Sequence, residues 1–118
     1  ATQDCPTLEI AEAAASQHLP HGVQLGEPAR KALHAGGTLF SFRASAEAQE
    51  ASVTGAHGSV KLHRVAMWRS GPKYDLRPRA GSTAPADTAW FFGVAKLKVG
   101  SPITLWVNGQ CALQWALP

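Results

Sequence analysis

Apolar positions follow two different periods along this chain. Leu8, Ile10, Ala11, Ala14 and Ala15 form a one-sided stripe at helical spacing. Cys5-Pro6-Thr7 precedes the stripe as a helix start, with Pro6 suited to the first turn and Glu9 and Glu12 near the positive end of the dipole. The stripe ends near His18, before Pro20. A short second helix is expected after Glu27-Pro28, through Ala29, Arg30, Lys31, Ala32, Leu33 and His34, closed by Gly36-Gly37.

From Thr38 the period becomes two. Thr38 to Arg43 alternates, with Phe40 and Phe42 on one face. Ser45 to Ala51 reads as a helical turn or loop, and Gly55-Ala56-His57-Gly58 as a turn. Val60 to Trp68 reads as one long strand, with Lys61, His63, Val65 and Met67 on one face and Val60, Leu62, Arg64, Ala66 and Trp68 on the other. Ser70-Gly71-Pro72 turns the chain into a short strand, Lys73 to Arg77, placed at an edge by its flanking prolines. Residues 78–89 form a long connection of low hydrophobicity. Trp90 to Val99 is the next strand, where Gly93 marks a bulge or a close backbone approach. The strongest local signal is Asn108-Gly109 between Ile103–Val107 and Gln110–Trp115, the two-residue hairpin turn. Its register pairs Val107 with Gln110 and Trp106 with Cys111, and places Thr104, Trp106, Cys111, Leu113 and Trp115 on one face.

These elements predict a single α+β domain over residues 1–118. An N-terminal helical segment (6–35) packs on an antiparallel sheet of about five strands (38–117), which ends in a β-hairpin. With 45% hydrophobic residues the chain can bury a core without many crosslinks. No apolar run is long enough to span a membrane.

Two features change the picture. The only cysteines, Cys5 and Cys111, sit near the two ends. A bond between them would close a loop of roughly a hundred residues and remove on the order of 4–5 kcal/mol of unfolded-state disorder in the chain-entropy model. Such a bond belongs to an oxidising compartment. Ala1-Thr2-Gln3-Asp4-Cys5 reads like the end left after signal-peptide removal. Both point to a periplasmic or secreted protein. The second feature is charge asymmetry. Residues 1–50 hold six acidic and three Lys/Arg side chains, whereas residues 51–118 hold two and eight. The basic excess peaks from Lys61 to Arg79, against Asp75 alone, and favours an acidic partner.

The chain lacks a nucleophile elbow, a phosphate-binding glycine loop and a zinc-protease signature. Asp75, Asp87, His57 and His63 are the only plausible acids and bases, so no catalytic residues are assigned and an enzyme is not expected. His18 and His21 flank Pro20, which breaks helical alignment, so no metal or cofactor is assigned. Trp68, Tyr74 and Trp90-Phe91, read with the basic run, suit a recognition surface, because aromatics and arginine dominate interface energetics. The alternative is that the aromatics fill a two-sided core. Nucleic acid, which would also use stacking rings in a cationic groove, is disfavoured by the exported compartment.

Ser70-Gly71-Pro72-Lys73-Tyr74, following Val60–Val65, resembles the Ser-Gly-x-x-Tyr segment of the periplasmic lysozyme inhibitors of the MliC/PliC type. Trp106-Val107-Asn108-Gly109 is loosely similar to their second segment, with Asn108 where that segment carries Lys. The resemblance covers about a tenth of the chain. It implies a small disulfide-bearing β-protein whose Ser70 and Lys73 would approach the acidic catalytic residues of a lysozyme.

The sequence thus leads to an exported, non-enzymatic binding protein. Its expected surface is Arg64, Trp68, Arg69, Ser70, Lys73, Tyr74, Arg77 and Arg79, facing another protein or an acidic polymer. The alternatives are an inhibitor of a cell-wall hydrolase that inserts the Ser70–Tyr74 turn, and a self-associating subunit of an envelope or pilus-like assembly.

Overall fold

A computed structural model describes residues 12–16, 23–55, 58–76, 85–97 and 100–116. Among the described residues there are nine strands and one helix. In chain order they are β1 (Glu12–Ser16), α1 (Glu27–His34), β2 (Thr38–Ser45), β3 (Ala51–Gly55), β4 (Gly58–Lys61), β5 (His63–Ser70), β6 (Lys73–Asp75), β7 (Thr88–Ala95), β8 (Pro102–Val107) and β9 (Gln110–Ala116). They form two antiparallel sheets, ordered β1-β2-β7-β5-β6 and β4-β3-β8-β9.

This corrects the expected α+β arrangement in two ways. First, among the described residues of the segment 6–35, residues 12–16 form an edge strand of the first sheet and only 27–34 are helical, in a fold that is mostly strand. β1 pairs with β2 from Glu12↔Arg43 to Ser16↔Leu39. Alanine tolerates either backbone, so the sheet's open edge decides, by supplying backbone partners and a place for Ala15 against the core. Leu8, Ile10 and Ala11 lie outside the described residues. Second, one sheet becomes two, because the expected strand over Val60–Trp68 breaks at Leu62. The Leu62 N–H donates to the Ala51 carbonyl at 2.9 Å and its side chain is buried. The residues before it pair with β3 and those after it with β7. A continuous two-residue alternation carries no mark of this transfer.

The helix α1 forms as expected. Pro28 lies in its first turn, Glu27 pairs with Arg30, and Gly36 (φ 95°) closes it. The Gly36 N–H donates to the Leu33 carbonyl and the Gly37 N–H to the Ala32 carbonyl, a Schellman close.

β7 lies between β2 and β5 and is buried on both faces. Its odd-numbered side chains face the second sheet. There Phe40, Phe42, Ala89 and Phe91 pack with Val53, Ile103, Leu105 and Val107 in the main core. Its even-numbered side chains, Phe92 and Val94, pack with Val23, Leu25 and Leu39 under α1. The result is three layers, helix on sheet on sheet. Gly93 is a close approach rather than a bulge, since the β2–β7 register is continuous. A Cβ on Gly93 would lie 2.2 Å from Leu62 Cδ2.

The Asn108-Gly109 hairpin has the expected register at its tip, Val107↔Gln110 and Trp106↔Cys111. Both turn residues have positive φ (50° and 79°), as a type I′ turn requires. Beyond Trp106 the register shifts: Leu105 faces Leu113, which leaves Ala112 as an extra, fully buried residue. The expected common face is therefore corrected. Thr104, Trp106 and Cys111 stay on the side away from the first sheet. Leu113 and Trp115 turn toward the core, where Trp115 meets Phe42 edge-to-face at 5.8 Å.

Asn108 also braces the neighbouring loop. Its Oδ1 accepts from the Gln49 and Glu50 N–H groups at 2.9 and 3.2 Å, and its own N–H donates to the Glu50 carbonyl at 2.9 Å. Asn108→Ala is expected to cost about 1–2 kcal/mol, from left-handed backbone strain plus the lost bonds. Asn108→Gly should restore only the strain component. Urea titration of the three proteins checks this, and an Ala variant as stable as wild type would refute it.

Candidate interaction surface

The basic segment folds as an edge hairpin. β5 and β6 pair Ser70↔Lys73, Arg69↔Tyr74 and Trp68↔Asp75, around the two-residue turn Gly71-Pro72. Gly71 (φ 64°) takes the first central position, as in a type II′ turn. β6 is the outermost strand of its sheet, the edge position anticipated for it, and is three residues long.

Strand alternation divides the expected site between two faces. Arg64 lies opposite Phe91 on the face toward the second sheet, and Trp68 shares that parity and is half-buried. Arg64 belongs to the scaffold. Its Nε donates to the Ala48 carbonyl at 2.7 Å and its Nη2 to the Ala46 carbonyl at 2.9 Å, which holds the turn between β2 and β3. Arg64→Ala is expected to cost about 2–3 kcal/mol, the range for hydrogen bonds to a charged group. Denaturant titration checks it, and Arg64→Lys should recover only part, because an ammonium lacks the two-pronged fork.

Arg69 and Tyr74 take the opposite face, the one that carries α1 further along the sheet. Arg69 is exposed; its Nε donates to the Gly71 carbonyl at 3.3 Å. Its backbone N–H donates to Asp87 Oδ2 at 2.6 Å, and the Asp87 N–H donates to the Met67 carbonyl at 3.0 Å. Asp87 therefore ties the start of β7 to β5. Lys73 and Asp75 are exposed on β6, and Ser70 ends β5 opposite Lys73. Arg77, Arg79, His57 and Cys5 lie outside the described residues.

The sequence reading missed Arg43. In β2, Arg43 lies across from Trp90, which lies across from Val65, so the three share a row on this face. Its guanidinium carbon is 5.2 Å from the centre of the Tyr74 ring and 5.8 Å from the Trp90 ring. Trp90 is half-buried and runs parallel to Phe92, with centroids 6.1 Å apart and planes 12° from parallel. Among the described residues the buried Trp90 Nε1 has no hydrogen-bond partner. The signal for Arg43 was present, since Phe40 and Phe42 on one face put Arg43 on the other. That two rings from β7 and β6 would converge on it depends on the strand order.

The aromatics therefore divide. Phe91 (0% exposed) and Phe92 (2% exposed) are core, whereas Trp90 and Tyr74 are only partly covered. The two carboxylates considered for acid–base work have other settings, Asp87 as the acceptor for the Arg69 N–H and Asp75 on the edge strand. His63 is exposed where the chain enters the first sheet. Among the described residues no three His, Cys, Asp or Glu side chains gather as metal ligands would, and no helix is long and apolar enough to cross a membrane. Cys111 is disulfide-bonded, and no free cysteine is found among the described residues.

No family model matches this chain, and no curated protein or solved structure matches it.

Proposed function

We propose that this is an exported, non-enzymatic binding protein that recognises an acidic macromolecular partner at the β5–β6 end of the five-stranded sheet. The observation that carries the reading is the Arg43 guanidinium between the Tyr74 and Trp90 rings, beside a hairpin that exposes Arg69 and Lys73. A guanidinium set between two rings loses little freedom when its planar fork meets a carboxylate, sulfate or phosphate. Arg69 and Lys73 would steer an acidic partner to the hairpin, and the rings with Arg43 would supply the buried anchors. The surface differs from the expected one by losing Arg64 and Trp68, which lie on the face toward the second sheet, and gaining Arg43 and Trp90. A Cys5–Cys111 bond and a periplasmic or secreted location complete the proposal, with the disulfide state of Cys111 as its support.

The test is a pull-down by the oxidised protein from an extracellular or envelope extract, with an Arg69→Glu/Lys73→Glu protein as matched bait. A ligand held by wild type at low salt, and released both by high salt and by the variant, is the expected result. Equal capture on both baits would remove this surface.

A second reading is favoured by one observation: Gly71, Pro72 and Lys73 are all exposed at the tip of a tight edge hairpin. Such a tip has the shape needed to enter an enzyme cleft, as the resemblance to lysozyme inhibitors implies. The oxidised protein should then inhibit a lysozyme, with Ser70→Ala/Lys73→Ala relieving the inhibition; full lysozyme activity at saturating protein would dismiss it.

A further inference from the structure

A trough of about 360 Å³ lies on the outer face of the second sheet, the face turned away from the first, and is lined by Glu50, Ala51, Ser52, Lys61, Trp106 and Gly109. The register explains it. Lys61, Ser52 and Trp106 stand side by side on β4, β3 and β8: a long side chain, a short one and a long one. With strands about 4.8 Å apart, the two tall side chains rise about 10 Å from each other over a Ser52 floor. β4 ends at Lys61, because Leu62 carries the chain to the other sheet. The β3–β4 register therefore stops at Ser52, and the trough opens toward Glu50.

The walls are held in place. The Trp106 Nε1–H donates to Thr54 Oγ1 at 2.8 Å, which draws the indole toward Thr54 and away from Glu50. That bond uses the ring's one donor, so toward the trough the half-buried indole offers apolar surface. Glu50 is fixed through its backbone: its N–H donates to Asn108 Oδ1 and its carbonyl accepts from the Asn108 N–H. Its carboxylate and the Lys61 ammonium are both exposed, and the one ion pair among the described residues is Glu27–Arg30. An acceptor, a donor and the Ser52 hydroxyl thus surround one aromatic wall, and the two charges at the rim are opposite.

We propose that this trough binds a neutral, flat sugar ring of an oligosaccharide, with the C–H face of the ring against Trp106 and its hydroxyls bonded to Glu50, Lys61 and Ser52. The charges argue for a neutral ligand, since an anion meets Glu50 and a cation meets Lys61. A wholly apolar ligand would take water from both charges and return no hydrogen bond. A zwitterion matches the signs, but its pairing with two exposed groups is screened by water and salt. A sugar whose hydroxyls are all equatorial has a face of weakly positive C–H groups, which suits the negative face of an indole. The hydroxyls at its edge both donate to a carboxylate and accept from an ammonium. The trough lies on the other sheet from Arg43 and the β5–β6 hairpin, so it is independent of that surface.

The experiment is an NMR titration of the isotope-labelled, oxidised protein with cellotriose and, separately, with the zwitterion γ-aminobutyrate. The Trp106 indole N–H is identified by its loss in Trp106→Phe. Cellotriose is expected to move that signal and the Ser52 and Lys61 amides along one saturable curve, with a dissociation constant of about 1 mM. Glu50→Ala should weaken binding about fivefold or more, the loss of a hydrogen bond to a charged group. Trp106→Ala should abolish saturation, with its fold checked by circular dichroism; the exposed Glu50 variant keeps the test decisive if Trp106→Ala does not fold. The Arg69→Glu/Lys73→Glu protein should bind cellotriose as wild type does. The proposal is overturned if cellotriose shows no saturation by about 20 mM, if γ-aminobutyrate saturates the same signals more tightly, or if Glu50→Ala leaves cellotriose affinity unaltered.

Discussion

Phe91→Ala is expected to lower the free energy of unfolding by about 3–5 kcal/mol, the largest effect of any single substitution considered. Phe91 lies at the middle of β7, is fully buried, and faces the second sheet, where residues of both sheets surround it. Truncation removes the transfer free energy of the ring. It also leaves a cavity that two hydrogen-bonded sheets cannot collapse to fill. The neighbouring Trp90→Ala should cost less, about 1–2 kcal/mol, although tryptophan is larger, because Trp90 is only half-buried on the other face. Guanidinium titration of both variants, with Phe91→Leu as a folded intermediate step, measures the contrast. Equal costs for Phe91 and Trp90 would mean that Trp90 is covered as fully as Phe91.

Reversing the hairpin charges should separate binding kinetics into two parts. With Arg69→Glu/Lys73→Glu, the association rate for the captured ligand is expected to fall about 10- to 100-fold at low salt and to lose most of its salt dependence. Stability should change by no more than about 0.5 kcal/mol, because both side chains are exposed. Arg43→Ala acts on the other part. It removes an anchor that sits between two rings, so dissociation should accelerate about tenfold or more while association changes little. Surface plasmon resonance at several salt concentrations reads both rates. An unchanged association rate and salt slope in the double variant would place the interface elsewhere. An unchanged dissociation rate in Arg43→Ala would return Arg43 to a purely structural role.

The elements most legible from sequence are those whose geometry is decided within a few residues. α1 is one, because Pro28 at its start and Gly36 at its end are local backbone constraints. The tip of the β8–β9 hairpin is another, since Asn108 and Gly109 both occupy positive φ. The Gly71-Pro72 turn and the edge position of β6 are a third. The candidate surface was legible as composition, a basic and aromatic run, but not as geometry. Alternation along β5 shows that Arg64 and Arg69 point oppositely. It does not show which face is covered by the second sheet, so Arg64 was grouped with a surface from which it is turned away. Arg43 was lost for the complementary reason: its two ring partners come from β7 and β6, far along the chain.

By itself, then, the sequence determined the short-range matters: where the chain turns at Gly71-Pro72 and Asn108-Gly109, that Phe40 and Phe42 share a face, that one short helix ends at a glycine pair, and that positive charge gathers in the second half. Each rests on backbone sterics or on charge, which neighbours in sequence settle together. The tertiary structure alone decided that Ala14 and Ala15 lie in a strand, that Leu62 carries the chain from one sheet to the other, that Ala112 shifts the last strand's register, and that Arg43 meets Tyr74 and Trp90. Each of these is a competition between local states of nearly equal free energy. Contacts and hydrogen bonds formed across many residues of chain separate them, and no local pattern encodes those.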